Sequence, residues 1–283
     1  MYSDEETLYA LDRARGDVAV WNPKAPKTTF YTVGETGQGP EEVVRAVGFY
    51  PRKDSIWILD GGSHYLKAYQ KDGFKKAMLI PTSTEDRFFI DEHFIYTTGA
   101  TDSSSYAKTP TNWKDRSAIQ EIQLRGHLFP IAKNKGENLY RNSLRHVIKG
   151  RDVLYTLCNN YPILEKYDLR TDSLLEKIDL TTIPFIGEVV KDIERENLPE
   201  KTISIFIRDA YWHNNKLYLL CADWEKGYKV NTIVVLEDTN SLTPYGIYHL
   251  QPEQIYTSIA VNNEHIYAAN NTWDSIDTYD FPQ

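Results

Sequence analysis

The chain has 283 residues and a formal net charge of −8 at pH 7, with 20 Tyr and 6 Trp but only 2 Met. A chain of this length buries about three quarters of the surface that its unfolded state exposes, so it can fold without disulfides or structural metals. The negative charge argues against a general nucleic-acid or anionic-membrane surface, because such surfaces depend on many Lys and Arg contacts with phosphates. No apolar run is long enough to span a membrane, and no signal peptide begins at Met1.

An early feature of the chain is a glycine-rich stretch, VGETGQGPEEV, at residues 33–43. A phosphate-binding loop needs inward-facing backbone N–H groups and usually a Lys followed by Ser or Thr. Here Pro40 lacks an N–H, and the two glutamates after it place negative charge where a phosphate would bind. We therefore interpret Gly34, Gly37 and Gly39 as positions of positive φ in a tight connection between strands, and not as a nucleotide site.

A five-residue pattern, apolar-aromatic-x-apolar-polar, recurs along the chain. It occurs as LYALD (8–12), IWILD (56–60), LYTLC (154–158), LYLLC (217–221) and IYAAN (266–270), with a weaker copy, FIYTT (94–98). Each copy follows a turn and an earlier strand-like run, and each precedes another alternating run. Four antiparallel strands repeated six times, at an irregular period of about 40 to 60 residues, predict an all-β six-bladed β-propeller with four-stranded blades.

The aromatic residue of this pattern is predicted to occupy a matching position on the second strand of its blade. The strong copies place there Tyr9, Trp57, Tyr155, Tyr218 and Tyr267. The two cysteines of the chain, Cys158 and Cys221, end their copies of the pattern, and this context favours buried free thiols over a disulfide or a catalytic pair. No CxxC, HExxH or EF-hand spacing occurs, so we predict no metal or other cofactor.

The lengths of the connections separate the two faces of the predicted propeller. The turns between first and second and between third and fourth strands are short and rich in Asn, Asp and Gly, which leaves no room for a site on their face. The long, irregular connections are expected on the opposite face, which we call the long-loop face. They comprise residues 97–117, 134–142, 184–200, 222–229 and 270–274. Within the third of these segments, Val189, Val190 and Ile193 share one side of a helix, which predicts a short helical insertion around 187–197.

The long loops are the first candidate binding site, because binding residues concentrate on loops that a rigid scaffold supports. Three of the six tryptophans lie there, namely Trp113, Trp224 and Trp273. Aromatic planes beside Asn and Asp side chains suit sugar rings or peptides. Loop tryptophans also cap the apolar ends of blades, and the sequence leaves both interpretations open.

The starts of the predicted innermost strands form a second candidate site. Counting back ten residues from the aromatic of the pattern gives Arg145 and Arg208, and Arg45 and Arg87 lie within two positions of that register. Their neighbours include Asp209, His146, Tyr256 and Ser258. Arginine suits bidentate capture of a carboxylate or phosphate. The alternative is that these arginines pair with Asp86, Asp209 or Glu42 and fill the channel.

The chain resembles six-bladed propellers of the NHL and TolB-like type, a bacterial cell-envelope family. The resemblance rests on GETGQGPEE (34–42), which is similar to a Gly-x-Gly-Pro-Gly-Glu element of that family, and on IWILDGGSHYLKAYQKDG (56–73), which is similar to its strand-Asp-strand-Asp-Gly hairpin. The resemblance covers essentially the whole chain and concerns fold more than activity. In the first of these motifs, Glu41 stands where the family often has the last Gly of the Gly-x-Gly-Pro-Gly-Glu element. Members are typically exported and frequently lipoproteins. The resemblance therefore implies a periplasmic or outer-membrane-anchored protein whose leader is absent here, or a cytoplasmic one if Met1 is the true start.

The strand count predicts a single domain over residues 1–283 that lacks a strand or two upstream of Met1, unless residues 1–5 substitute for them. The functional hypothesis is a monomeric, non-catalytic propeller that binds an anionic or carbohydrate ligand, or a protein partner, at its long-loop face and channel mouth. The alternative is a lactonase- or lyase-like enzyme with an axial metal. Calcium sites need several oxygen ligands, and Asp209 is the one carboxylate that the pattern places on an inner strand, with Asp86 nearby, which disfavours the enzyme.

Overall fold

The structure, a computed structural model, describes residues 1–25, 30–80, 87–101, 104–112, 121–199, 202–223, 227–271 and 275–281. The chain divides into two compact units, Met1–Leu128 and Phe129–Gln283. Each unit contains three antiparallel sheets made of consecutive strands, which we number 1 to 6 and whose strands we letter a to d in chain order. We call the end of a sheet with the a–b and c–d turns its turn end, and the other its loop end.

Unit 1 holds three four-stranded sheets. Their strands are β1 (Tyr2–Ser3), β2 (Leu8–Asp12), β3 (Asp17–Trp21) and β4 (Phe30–Val33) in sheet 1; β5 (Ala46–Arg52), β6 (Ser55–Asp60), β7 (Tyr65–Gln70) and β8 (Gly73–Leu79) in sheet 2; and β9 (Phe89–Ile90), β10 (Phe94–Thr101), β11 (Ser104–Pro110) and β12 (Gln123–Arg125) in sheet 3.

Unit 2 holds two four-stranded sheets, a sheet with three strands in the described residues, and two α-helices. The helices are α1 (Lys135–Ser143) and α2 (Pro184–Arg195). The strands are β13 (Arg145–Lys149), β14 (Val153–Cys158), β15 (Ile163–Asp168) and β16 (Leu174–Asp179) in sheet 4; β17 (Ile207–His213), β18 (Lys216–Asp223), β19 (Lys229–Asp238) and β20 (Leu242–His249) in sheet 5; and β21 (Tyr256–Val261), β22 (His265–Asn270) and β23 (Ile276–Asp280) in sheet 6.

The predicted fold class, an all-β six-bladed β-propeller of four-stranded antiparallel blades, is confirmed. The recurring pattern marks strand b of every sheet, and its aromatics lie where the sequence places them: Tyr9 on β2, Trp57 on β6, Tyr155 on β14, Tyr218 on β18 and Tyr267 on β22. Their side chains are buried except that of Tyr9, which is half-buried.

A local hydrogen-bond motif explains why an aromatic recurs at this position. In sheets 1, 3 and 6 an Asp or Asn of the a–b turn accepts hydrogen bonds from the amides two and three residues later and contacts a tyrosine hydroxyl five residues later. The hydroxyl distances are 3.2 Å for Asp4 and Tyr9, 2.8 Å for Asp91 and Tyr96, and 3.4 Å for Asn262 and Tyr267. The turn residue thus ends strand a and also satisfies the polar end of the buried ring.

The predicted helical insertion is present as α2, which begins three residues before the predicted start and ends two before the predicted end. Pro184 occupies the first turn, where its missing N–H costs no hydrogen bond. Ile186 and Val189 are buried in the core of unit 2, and Val190 and Ile193 pack against it. The helix is therefore held by its apolar side, and its exposed side carries the ion pairs of Lys191 and Arg195.

Helix α1 is not predicted by the sequence pattern, because its residues are almost all polar. Polar contacts hold it instead: Asn134 caps its start by accepting a hydrogen bond from the Glu137 amide at 3.0 Å, and Glu137 pairs with Arg141 at 2.6 Å. The Asn138 side chain accepts hydrogen bonds from two amides of the preceding segment, at 2.8 and 3.0 Å. The segment 134–142, expected to be irregular, is thus a helix.

The prediction for residues 97–117 is also wrong in part. Most of this segment forms the paired strands β10 and β11, and the long connection runs between β11 and β12, which places it at the turn end of sheet 3. These strands lack the usual alternation of apolar residues, because several of their buried positions are Thr or Ser, including Thr97 and Thr98. Such side chains can be buried when they bond to the backbone, as the Ser104 hydroxyl does with the Gly99 carbonyl at 2.7 Å.

The two cysteines are free and buried, as predicted. Burial raises the pKa of the Cys221 thiol to about 12. Cys158 ends β14 and lies opposite Arg145, whereas Cys221 lies two residues before the end of β18, opposite Ile207. Within the described residues, neither helix is long and apolar enough to cross a membrane.

Candidate functional site

The glycine-rich loop is filled by one of its own side chains. The Gly39 amide donates a hydrogen bond to Glu42 Oε2 at 2.7 Å, and a Cβ added to Gly37 would lie 1.8 Å from the same oxygen. Gly34 has positive φ, +82°, as expected, but Gly37 and Gly39 do not. Those two residues are therefore glycine to let the carboxylate approach the backbone. An internal carboxylate lies where a phosphate would, in line with our interpretation of the loop as structural.

The four predicted arginines have different surroundings. In unit 1, Arg45 is exposed just before β5, and its backbone amide donates to the Asp60 carboxylate at 2.9 Å. Arg87 is buried, donates to the Met1 carbonyl at 3.0 Å, and lies over the Tyr2 ring with 4.8 Å between guanidinium carbon and ring centre. The Arg87 side chain thus fixes the start of the chain, whereas Arg45 contributes its backbone amide to the Asp60 carboxylate.

Arg145 of unit 2 is completely buried. Its guanidinium donates hydrogen bonds to Thr156 Oγ1 and Asn142 Oδ1, both at 2.9 Å, and lies 3.6 Å from a Glu165 carboxylate oxygen. Its flat face stacks on the Phe129 ring at 4.3 Å. Both terminal nitrogens of the guanidinium therefore already donate hydrogen bonds to groups of the protein itself. The role of Arg145 in ligand binding stays a prediction. The arginine is part of the core, as in the alternative, but the carboxylate beside it is Glu165 and not Asp86, Asp209 or Glu42.

Arg208 differs from Arg145 because β17 contains a bulge. Cys158 lies opposite Arg145, whereas the equivalent Cys221 lies opposite Ile207. The strand register then shifts between Ile207 and Asp209, so Arg208 is an extra residue without a cross-strand partner. It is half-buried, and within the described parts of the chain its guanidinium has no hydrogen-bond acceptor or carboxylate paired with it. The bulge therefore gives Arg208 surroundings unlike those of its sequence counterpart.

Asp209 fixes the bulged strand to its neighbour. Its carboxylate accepts hydrogen bonds from the Ser258 hydroxyl at 2.7 Å and from the Ile259 amide at 2.8 Å, so it joins β17 to β21. Strand β21 has its own register shift, between Tyr256 and Ser258, which makes Thr257 its extra residue. Because Asp209 and Ser258 each follow a bulged residue directly, their hydrogen bond brings Arg208 and Thr257 to the same edge of unit 2.

Two further residues complete this edge, and the sequence analysis missed both as site residues. The Asn159 carbonyl accepts hydrogen bonds from the amides of Phe206 and Ile207, which brings Asn160 beside the bulge. The amide nitrogen and oxygen of Asn160 are both shielded from solvent, and neither has a hydrogen-bond partner among the described residues. The unsatisfied side chain and the bulge are detectable only in three dimensions.

Tyr228 lies against the same segment. Its hydroxyl donates to the Ile205 carbonyl at 2.8 Å. Burial raises the pKa of Tyr228, and the positive charge of Arg208 lowers it by a smaller amount. We call Asn160, Arg208, Tyr228 and Thr257 the Arg208 site.

The remaining predicted residues lie elsewhere. Tyr256 is buried and its hydroxyl contacts Asp277 Oδ2 at 2.5 Å and the Tyr279 hydroxyl at 2.6 Å, both on β23 of its own sheet. Burial, followed by the hydrogen bond to Asp277, raises its pKa far above the usual value. Trp113, Trp224 and Trp273 lie outside the described residues, so their predicted role stays a prediction. Over the described ranges, no three His, Cys, Asp or Glu side chains form a group that could hold a metal.

No known protein-family model and no curated protein matches the chain. Several solved structures, however, are similar to this chain. An inactive variant of virginiamycin B lyase from Staphylococcus aureus, with quinupristin, is 14% identical with a TM-score of 0.55, over 100% of this chain and 94% of that one. Kluyveromyces lactis Hsv2 is 11% identical with a TM-score of 0.51, over 100% and 92%. The Cps50 (Swd1) β-propeller domain of Myceliophteria thermophila is 8% identical with a TM-score of 0.53, over 99% and 84%. At these identities the likeness shows the propeller fold alone.

Proposed function

We propose that the protein is a non-catalytic binding propeller that takes a ligand with a carboxylate, such as an acidic sugar, at the Arg208 site. The observation that carries this proposal is the Arg208 guanidinium. It is half-buried on a strand bulge, and within the described residues no carboxylate is paired with it. Bulges often redirect a side chain beside a functional site.

The chemistry of the neighbouring groups suits such a ligand. A guanidinium forms two parallel hydrogen bonds with a carboxylate, a geometry that an ammonium cannot reproduce. The solvent-shielded Asn160 amide has no hydrogen-bond partner among the described residues, and a change of its rotamer would let it pair with sugar hydroxyls. The Tyr228 ring adds an apolar plane. The hydrogen bonds of Asp209 to Ser258 and Ile259 hold the backbone of the bulge in place, so this backbone would need little ordering on binding.

Calorimetric titration with glucuronate and galacturonate tests this proposal. We expect the wild type to bind one of them and Arg208→Ala to weaken binding by roughly tenfold or more, since a charged hydrogen bond is worth about 1.5 to 3 kcal/mol. Arg208→Lys should restore only part of the affinity. The melting temperature of Arg208→Ala should remain close to that of the wild type, because no described residue would lose a hydrogen bond or ion pair with the guanidinium.

The matched control is Arg195→Ala, which removes an exposed arginine paired with Asp192 on α2 and should leave binding unchanged. Failure of both uronates to bind, or unfolding of Arg208→Ala, would refute the proposal. Chemical conversion of the ligand during the titration would support the lyase-like alternative instead.

We also propose, from the resemblance of residues 34–42 and 56–73 to NHL and TolB-like propellers, that the protein acts in the bacterial cell envelope, in the periplasm or anchored to the outer membrane. The test is fractionation of cells that express the complete native gene. Recovery in the periplasmic or membrane fraction is expected, and recovery in the cytosol alone would overturn this localisation.

A further inference from the structure

Sheet 3 of unit 1 carries a cleft that is separate from the Arg208 site. The cleft has a volume of about 700 Å³ and lies at the turn end, between the a–b turn and the start of the c–d connection. Phe94 and Pro110, which lie directly opposite each other on β10 and β11, supply its apolar part. Volumes of roughly 300 to 1,000 Å³ are typical of small-ligand sites. The sequence predicted no room for a site at the turn ends of the sheets, because their turns are short. Sheet 3 departs from this prediction, since its c–d connection is long.

Hydrogen bonds fix the walls of this cleft. Asp91 accepts from the amides of His93 and Phe94, at 2.8 and 2.7 Å, and from the Tyr96 hydroxyl at 2.8 Å. The Thr111 amide donates to the His93 carbonyl at 2.8 Å and ties the c–d connection to the a–b turn. The a–b turn and Thr111 are thus held in place before any ligand binds, which lowers the entropic cost of binding on this side of the cleft.

The polar groups of the cleft are uncharged amides, an imidazole and one carboxylate. They belong to His93, Asn112, Glu121 and Gln123, and the nearby Lys108 ammonium lies over the Phe94 ring, 4.8 Å from its centre. The side chains of His93, Asn112 and Glu121 are exposed, and none of them is hydrogen-bonded to another described residue. Such a set offers both hydrogen-bond donors and acceptors.

We propose that this cleft binds a neutral saccharide of one or two rings. Sugar hydroxyls donate and accept hydrogen bonds, as the amides and the carboxylate require, and the C–H face of a sugar can lie against Phe94 and Pro110. The exposed Glu121 disfavours an acidic sugar, so the expected ligand differs from the one proposed for the Arg208 site.

The experiment measures binding of maltose, cellobiose, lactose and N,N′-diacetylchitobiose by saturation-transfer NMR, followed by titration of the best ligand. We expect at least one disaccharide to bind, and the double variant Asn112→Ala/Glu121→Ala to bind it roughly tenfold more weakly, since it loses two hydrogen-bonding groups. Both residues are exposed, so the variant should melt like the wild type.

The matched control is Glu92→Ala, which removes an exposed acidic side chain from the same turn without touching the lining. Arg208→Ala should also leave disaccharide binding intact, so the two sites can fail independently. The proposal is overturned if none of the four disaccharides binds, if the double variant binds as tightly as the wild type, or if a basic peptide such as trilysine binds in their place.

Discussion

Replacement of Asp60 by alanine should lower the free energy of unfolding by roughly 3 to 5 kcal/mol, because it leaves a buried cation without its partner. Asp60 is completely buried and lies 3.0 Å from the ammonium of Lys67, which is 3% exposed. Its carboxylate also accepts hydrogen bonds from the Arg45 amide at 2.9 Å and the Ser63 hydroxyl at 2.5 Å. The measurement is urea unfolding of the variant and the wild type.

The control for this substitution is Asp72→Ala, which removes an exposed carboxylate paired with Lys75 and should leave the stability close to that of the wild type, because solvent screens an exposed ion pair. Replacing the pair together, as Asp60→Asn/Lys67→Met, should recover part of the loss, since no buried charge then remains uncompensated. Equal stability of Asp60→Ala and Asp72→Ala would contradict the account of sheet 2.

The effect of Asp60 should depend on pH in a defined direction. Burial raises the pKa of its carboxyl, but the hydrogen bonds from Ser63, the two loop amides and Lys67 more than offset burial and hold the pKa well below its usual 3.8. A carboxyl with a lowered pKa stabilises the fold above its unfolded-state pKa and loses that contribution as the pH falls through its folded-state pKa. The stability difference between wild type and Asp60→Ala should therefore be constant near neutral pH and shrink only below about pH 4.

Arg145→Ala should destabilise the protein by roughly 3 to 5 kcal/mol, because Glu165 would remain as a buried, unpaired carboxylate. Both side chains are completely buried. The substitution also removes two hydrogen bonds and the stacking on Phe129. Thermal and urea unfolding measure the loss.

Arg195→Ala serves as the surface control here too, and its stability should lie within about 0.5 kcal/mol of the wild type. The double variant Arg145→Met/Glu165→Gln removes both charges and should be more stable than Arg145→Ala. A melting temperature of Arg145→Ala equal to that of the wild type would show that this arginine is not part of the core.

The sequence predicted the elements whose chemistry repeats. The aromatic of the pattern marks every strand b because its ring is needed in the core and, in three sheets, its hydroxyl is needed by the a–b turn. Helix α2 was predictable from its apolar side. Helix α1 and the β10–β11 hairpin were not, since hydrogen bonds of Asn, Thr and Ser side chains replace the apolar periodicity on which the prediction depends.

The candidate site could be predicted only in part. Arg145 and Arg208 occupy the same position when residues are counted from the aromatic of the pattern, yet a one-residue bulge separates their surroundings. Bulges have no reliable sequence signal here, because the extra residue is an Arg on β17 and a Thr on β21. The Asn160 amide was also missed. Whether a buried amide finds hydrogen-bond partners depends on residues that are distant in sequence, so the sequence alone does not reveal it.

The most direct test of the Arg208 site is two-dimensional NMR of the arginine Nε–Hε groups while glucuronate or galacturonate is added. Variants that lack single arginines assign the signals. We expect the Arg208 signal to shift in a saturable manner and the Arg145 signal to stay in place, because its guanidinium is buried and already bonded within the protein. A saturable shift at Arg145 without one at Arg208, or no saturable shift at any arginine, would contradict the account.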